Sequence, residues 1–319
     1  MLSKDKMKYF LVLILALAMT SSMLFTGCDD EAGVEEKEVN LAMVEWTCST
    51  QKNHIHRQIL ETLGYTVELE NYSLPVILEG MSVGDIDIFA DSWFQTWGTP
   101  LENALDAGDV IHLETHLDET AYAPAVPVYV YEEGVTSLAD LADYSEEFDY
   151  KYFGLEPGND GNEIMIDAFE NDIYGLGEWE IIESNEAAMM ADVEQAIENE
   201  EWVVFSGWEP HYMNILYDME YLDDPEGIWG EGEQVGTIAR PGIEEDMPNL
   251  AKYFDQFEIS AEAVNDLVYE YGYKERDADE VALEWIEENL DKVKEWAEDL
   301  ETVDGRDAVE VLEETYGDA

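Results

Sequence analysis

Basic residues are scarce in this chain of 319 residues: 14 Lys and Arg stand against 77 Asp and Glu, a formal net charge of −63. Nucleic acid is excluded as a natural partner, because its phosphates would be repelled. Cysteine is almost missing as well, with only Cys28 and Cys48, so no disulfide framework staples the fold. Nucleophile motifs, a P-loop and a dinucleotide fingerprint are also absent. The apolar run Tyr9–Met19 is too short to span a membrane comfortably.

What is present argues for a packed core. Hydrophobic residues make up 46% and aromatics 12%, which separates the chain from acidic disordered sequences. The length allows two domains of ordinary size. An acidic surface this extreme on a foldable chain suggests work in concentrated salt, where a Debye length of about 3 Å at ~1 M screens the self-repulsion.

The amino terminus reads as a targeting segment. Lys4, Lys6 and Lys8 precede the apolar run, as in a signal peptide. Leu24-Phe25-Thr26-Gly27-Cys28 resembles a lipoprotein cleavage box, with Phe25 where Leu is usual. Cys28 is then the expected lipid-bearing residue, residues 1–27 the signal peptide, and residues 28–38 an acidic tether.

From Val39 onward the hydrophobic pattern predicts two βαβαβ units. The first comprises a strand at Leu41–Trp46, a helix at Ile55–Leu63, a strand at Tyr65–Tyr72, a helix at Leu74–Met81, and a strand at Ile86–Ala90 leading to Trp93. The second comprises Tyr150–Leu155, Glu163–Tyr174, Trp179–Ser184, Ala187–Asn199 and Trp202–Phe205, leading to Trp208. The units share a register: Trp46 lies 47 positions before Trp93 (93 − 46), and Gly161 lies 47 before Trp208 (208 − 161). Each unit places loops at the carboxyl edge of a parallel sheet, where such folds bind ligands. Ala121–Tyr131 and Val235–Arg240 read as crossings between two lobes, 39–125 with 236–319 and 126–235. Trp285 and Trp296, in a helical stretch with Ala282, Ile286 and Val293 on one face, are expected in the core.

Gly207-Trp208-x-Pro210-His211-Tyr212-Met213, Tyr221-Leu222-Asp223-Asp224-Pro225, Gly84-Asp85-Ile86-Asp87, Gly154-Leu155-Glu156-Pro157-Gly158, Asp246-Met247-Pro248 and Trp285-Ile286-Glu287-Glu288-Asn289 occur in this order. Together they resemble the glycine betaine-binding proteins of ABC importers, from about Asn40 to Leu300. The resemblance implies an α/β, two-lobed periplasmic-binding-protein-like fold of type II around a hinged cleft. It further implies a lipid-anchored extracytoplasmic receptor that delivers glycine betaine, or a related quaternary amine, to permease subunits without cofactor or chemistry.

A trimethylammonium group carries charge but no N–H, so aromatic faces must recognise it. The resemblance assigns this cage to Trp46, Trp93 and Trp208; Trp97 is expected as either a fourth wall or an outer support. It assigns the ligand carboxylate to the backbone amides of Gly161 and Asn162 at a helix start. Two departures stand out. The family's His after the second cage Trp is missing from Trp93-Phe94-Gln95-Thr96-Trp97-Gly98, and Asp160 adds a negative charge beside the carboxylate site. Both leave room for choline or carnitine. His54-x-His56, His112-x3-His116 and Asp85-x-Asp87 have spacings seen at metal sites but lack a third ligand, so no metal is expected. The competing classes are a carboxylate- or metal-dependent hydrolase using Asp85, Asp87 and a His, and a sensor or adhesion lipoprotein with the same fold.

Overall fold

The structure is a computed structural model describing residues 37–230 and 232–317. The expected signal peptide, Cys28 and nearly all of the tether lie outside the described residues. Among those described, no helix is long and apolar enough to cross a membrane.

The first βαβαβ unit is β1 (Glu38–Met43), α1 (Thr47–Thr62), β2 (Thr66–Asn71), α2 (Leu74–Val83) and β3 (Ile88–Trp93). Each boundary has a local cause. Ser73-Leu74-Pro75 opens α2 with proline in its first turn, and Gly84 closes it at φ 84°, a left-handed cap that glycine adopts freely. Every residue of β3 is buried, as expected for a strand covered on both faces. The helix α3 (Phe94–Ala107) follows directly, and Gly98 and Pro100 break its regularity.

The second unit is β5 (Lys151–Gly154), α4 (Asp160–Glu170), β6 (Glu180–Glu183), α5 (Glu186–Glu198) and β7 (Phe205–Glu209). Asn159 and Asn185 cap α4 and α5, their side chains accepting from the amides of Asn162 and Ala188.

Between the units runs β4 (Ile111–Pro127), 17 residues long. Its first part pairs antiparallel with β9 (Glu233–Ala239), and Ala121–Ala125 pair antiparallel with β7. The strand order is therefore β2-β1-β3-β9-β4-β7-β5-β6, with β8 (Met219–Tyr221) added to the end of β4. One half contains parallel β2-β1-β3 and the other parallel β7-β5-β6. The expected crossings fall on β4 and β9, except that Val128–Tyr131, read as extended, belongs to a short helix, Val128–Glu132. The rest of the chain is helical: α6 (Pro248–Asp255), α7 (Ala261–Val268), α8 (Ala278–Glu288), α9 (Leu290–Trp296) and α10 (Ala308–Tyr316). The contacts of α1 with α7, α8 and α10 return this tail to the first half.

Several boundaries differ from the periodicity: β1 ends at Met43 and not Trp46, β3 covers Ile88–Trp93 and not Ile86–Ala90, and α4 covers Asp160–Glu170 and not Glu163–Tyr174. Helix α1 begins at Thr47, eight positions before Ile55 (55 − 47), because its buried face is polar: Ser49, Gln51, Lys52, Asn53 and His56 are all inside. Lys52 is buried because its ammonium pairs with Asp91 of β3, as a buried charge requires. The last strand of the second unit begins at Phe205, not Trp202. Trp202 instead packs its ring on Tyr144 and Phe148, each with centroids 5.3 Å away.

Candidate functional site

Four aromatic rings and one aliphatic side chain meet where the two halves face each other. Trp46, Trp93, Tyr122, Leu155 and Trp208 bound a small cavity. The rings are only 4–8% exposed. Trp46 and Trp93 are the N-cap residues of α1 and α3, held in extended backbone at the ends of the two parallel strands. Tyr122 and Trp208 are directly opposite each other in the antiparallel β4–β7 pair, so their side chains share a face. Tyr122 meets Trp93 edge-on at 5.7 Å and Trp208 at 6.2 Å.

The three tryptophans assigned from the resemblance therefore converge on one cavity. Trp97 does not join them. It is buried against Phe89, rings 5.8 Å apart and nearly perpendicular, because the α3 turn carries it behind the sheet. Tyr122 supplies the additional wall, which the sequence reading left inside a crossing strand. Its one available signal was an aromatic residue on the segment that joins the halves.

The polar surroundings are carboxylates. The Trp46 indole N–H donates to Glu156 at 3.1 and 3.3 Å to its two oxygens. The Tyr122 hydroxyl donates to Asn159 Oδ1 at 2.9 Å, and the buried Asn159 side chain also faces the Glu156 carboxyl, which it helps keep ionised. Burial pushes the Tyr122 phenol well up, so it remains a donor. Burial likewise raises the Glu156 and Glu233 carboxyls above their ordinary values, and pushes Asp160 up to about 7.

Three helices begin at this site, and their positive ends would suit an anion. Each is already filled. The Thr47 amide at the start of α1 donates to Glu186 Oε2 at 2.9 Å. The Gln95 and Thr96 amides of α3 donate to Glu233 at 2.9 and 3.0 Å. At α4, the Gly161 amide donates to Asp160 Oδ1 at 2.9 Å and the Asn162 amide to Asn159 Oδ1 at 3.1 Å. A Cβ on Gly161 would lie 2.4 Å from the Tyr122 hydroxyl oxygen, so aromatic rings cover that turn. The Gly161 and Asn162 amides, expected to meet a ligand carboxylate, donate here to Asp160 and Asn159.

The metal-like spacings do not converge. His54 meets Asp279 at 2.7 Å, His56 meets the Tyr253 hydroxyl at 2.9 Å, and His112 meets the Thr115 hydroxyl at 3.2 Å. His116 packs its ring on Phe257. Asp87 accepts from the Asn40 amide and pairs with Arg240, tying β1 and β3 to the end of β9. Trp296 is fully buried and donates to the Glu258 carbonyl, with Trp285 stacked on it at 5.7 Å, both in the helical tail.

Residues 37–288 match the family described as the substrate binding domain of ABC-type glycine betaine transport system, OpuAC. The glycine betaine/carnitine transport binding protein GbuC of Listeria monocytogenes is 34% identical over 167 residues. That match covers 51% of this chain and 54% of GbuC, so it spans about half the length of that relative. Among solved structures, an ABC-transporter choline binding protein in complex with choline is 29% identical, with a TM-score of 0.84 over 88% of this chain and 98% of the other. The glycine betaine/L-proline-binding protein ProX of Borrelia burgdorferi is 26% identical, with a TM-score of 0.79 over 86% of this chain and 100% of the other. These neighbours have the type II periplasmic-binding-protein fold, and the family is one of transport receptors, not of enzymes. The chain belongs to the OpuAC family, the substrate binding domain of ABC-type glycine betaine transport systems.

Proposed function

We propose that this protein is an extracytoplasmic receptor for a quaternary ammonium solute, with choline ahead of glycine betaine, and that it hands the solute to ABC permease subunits. The observation that carries the preference is the pairing of the four-ring cavity with filled helix starts. Each ring contributes about 0.5–2 kcal/mol to holding a desolvated ammonium. A betaine carboxylate would have to displace Glu186, Glu233, Asp160 or Asn159 from amides they occupy, and would sit among acids. A choline hydroxyl needs only one partner, and the buried Asn159 amide beside Tyr122 and Glu156 is suited to that. The choline complex among the similar structures supports the same choice. Glycine betaine is the second reading, supported by the family description and by the name of GbuC.

In this proposal the halves that meet at the cavity, 39–125 with 236–319 and 126–235, are lobes hinged on β4 and β9. Cys28 carries a lipid that anchors the receptor to the membrane. Calorimetric titration with choline, glycine betaine, proline betaine and carnitine tests the ligand: choline is expected to bind tightest. Glycine betaine binding tenfold tighter than choline would reverse the order, and no binding of any quaternary amine would remove the function. Cys28→Ala should leave an unprocessed precursor, detectable by its retained amino terminus.

A further inference from the structure

We infer that Glu186 is a closure latch, a positioning residue that links the start of α1 to the base of Trp208 only when the two halves meet. The inference rests on the hinged-lobe reading above. Glu186 is the first residue of α5 and is 3% exposed. Its Oε2 accepts the Thr47 amide at 2.9 Å, and its Oε1 faces His211 Nε2 at 3.1 Å. His211 Nδ1 accepts the Met213 amide at 3.2 Å, which leaves the hydrogen on Nε2, directed at Glu186. The fully buried His211 ring lies against Trp208, with centroids 4.5 Å apart, and against Tyr212 at 4.1 Å. Thr47 is bonded to Trp46. One carboxylate therefore holds two cage walls that come from opposite halves.

The two partners of Glu186 differ in kind. His211 belongs to the same half and stays with Glu186 whatever the cleft does. The Thr47 amide belongs to the other half, and separation of the halves returns it to water. The buried carboxylate is offset by two helix starts, its own at α5 and that of α1, both favouring negative charge. Opening removes one of them. Closure is thus favoured electrostatically at the point where the cage assembles. The same seam is tight elsewhere. Gly272, in the π-helical turn Tyr269–Tyr273, packs so closely that a Cβ there would lie 2.8 Å from both Thr47 Cγ2 and Tyr212 Cε1.

A single substitution can remove the latch and little else. Thr47 is the first residue of α1, the position where proline is best tolerated in a helix. Trp46 has φ −98° and ψ 143°, the extended backbone that a residue before proline prefers. Thr47 Oγ1 has no partner to lose. Thr47→Pro therefore deletes the N–H that Glu186 accepts and leaves the helix and the cage backbone in place. The expected result in stopped-flow tryptophan fluorescence is choline release about tenfold faster, with association within about twofold of wild type. Melting of the ligand-free protein should be unchanged or slightly raised, which a merely structural role for Thr47 would not give. Glu186→Gln should also speed release, and Gly272→Ala, acceptable in a helical turn, should do so by obstructing closure. Spin labels at the exposed Glu79 and Glu194 positions, introduced as Glu79→Cys and Glu194→Cys, read closure without relying on any ligand. Thr47→Pro should deplete the short distance that the otherwise wild-type protein shows. If the wild type bound no quaternary amine, the functional reading would fail, and the label distances would still decide the latch. Release and label distances in Thr47→Pro equal to wild type, or a wild type that never shows the short distance, would overturn it.

Discussion

Trp46 gives its indole N–H to both carboxylate oxygens of Glu156, at 3.1 and 3.3 Å, so a cage wall from one half of the molecule is held by an acid from the other. The contact fixes the plane of the ring, and the donated N–H leaves the indole face richer in electrons, which strengthens its attraction for a cation.

Glu156→Gln should separate the two effects, because the amide oxygen can still accept from Trp46 while the negative charge is gone. Choline binding is expected to weaken by about 1 kcal/mol, on the scale of a unit charge near a partly buried cation. Trp46→Phe keeps a ring but loses the N–H and should weaken binding by a similar amount. Titration calorimetry on both variants is the check, and wild-type affinity in Glu156→Gln would leave the carboxylate with no part in binding.

Tyr122 and Trp97 should behave as opposites. Tyr122→Ala removes a wall and is expected to cost about 1.5–3 kcal/mol in choline affinity, as Trp46→Ala, Trp93→Ala and Trp208→Ala should. Tyr122→Phe keeps the ring and should lose far less. Trp97→Ala empties a site in the core behind the sheet and should cost about 3–5 kcal/mol of stability, with affinity in the folded fraction nearly unchanged. Thermal melts beside titrations distinguish the two patterns.

The parts of this site that could be read from the chain are those set by strand ends. Trp46 comes just after β1, Trp93 ends β3 and Trp208 lies near the end of β7, and the periodicity that marks a strand also marks roughly where it stops. Tyr122 was hidden for a related reason. It is in the middle of a 17-residue strand, so no boundary marks it, and only the cross-strand register with Trp208 brings it to the cavity. The start of α1 was hidden by its buried Ser49, Gln51, Lys52 and Asn53, which look like a solvated loop until Asp91 is placed beside Lys52. The occupied amides at Gly161 and Asn162 depend on side chains folding back onto their own helix start, which residue spacing does not reveal.

Salt should stabilise the fold. Through Gly27 the chain has three Lys and one Asp, so beyond it 11 basic residues face 76 acidic ones, a net −65. In the stretch 126–235 Lys151 is the one basic residue, against 30 Asp and Glu. Salt also screens the ion pairs, such as Lys274 with Glu270 and Arg306 with Glu314, but exposed pairs contribute about 0–1 kcal/mol each. Repulsion among so many like charges is the larger quantity at low ionic strength. The melting midpoint should rise by at least several degrees between about 0.05 M and 2 M potassium chloride, followed by circular dichroism. A flat midpoint would contradict adaptation to salt.

Choline binding should depend on pH through Asp160. Its Oδ2 accepts the Thr96 hydroxyl at 2.9 Å and its Oδ1 the Gly161 amide, next to the turn that Tyr122 covers. Burial pushes the carboxyl up from its ordinary 3.8 to about 7; the two hydrogen bonds pull it back in part, and Glu233 and Glu156 push it further up. A raised carboxyl means that the folded protein favours the protonated acid. Its contribution to stability is therefore lost as pH climbs from about 4 through about 7. A cation in the cage favours the ionised form, so the bound protein holds this proton less tightly than the free one. Binding then releases a proton near pH 7, and affinity for choline rises with pH across that window before levelling off. Each pKa unit displaced by the ligand corresponds to about 1.4 kcal/mol, or tenfold in Kd. Between about pH 5.5 and 8 the expected tightening is several-fold to tenfold, and Asp160→Asn should flatten it. Titrations at pH 7 in phosphate and in Tris check the proton directly, since its release makes the observed heat depend on the buffer. Equal heats in the two buffers, with a flat profile in wild type, would show that Asp160 does not sense the cation in the cage.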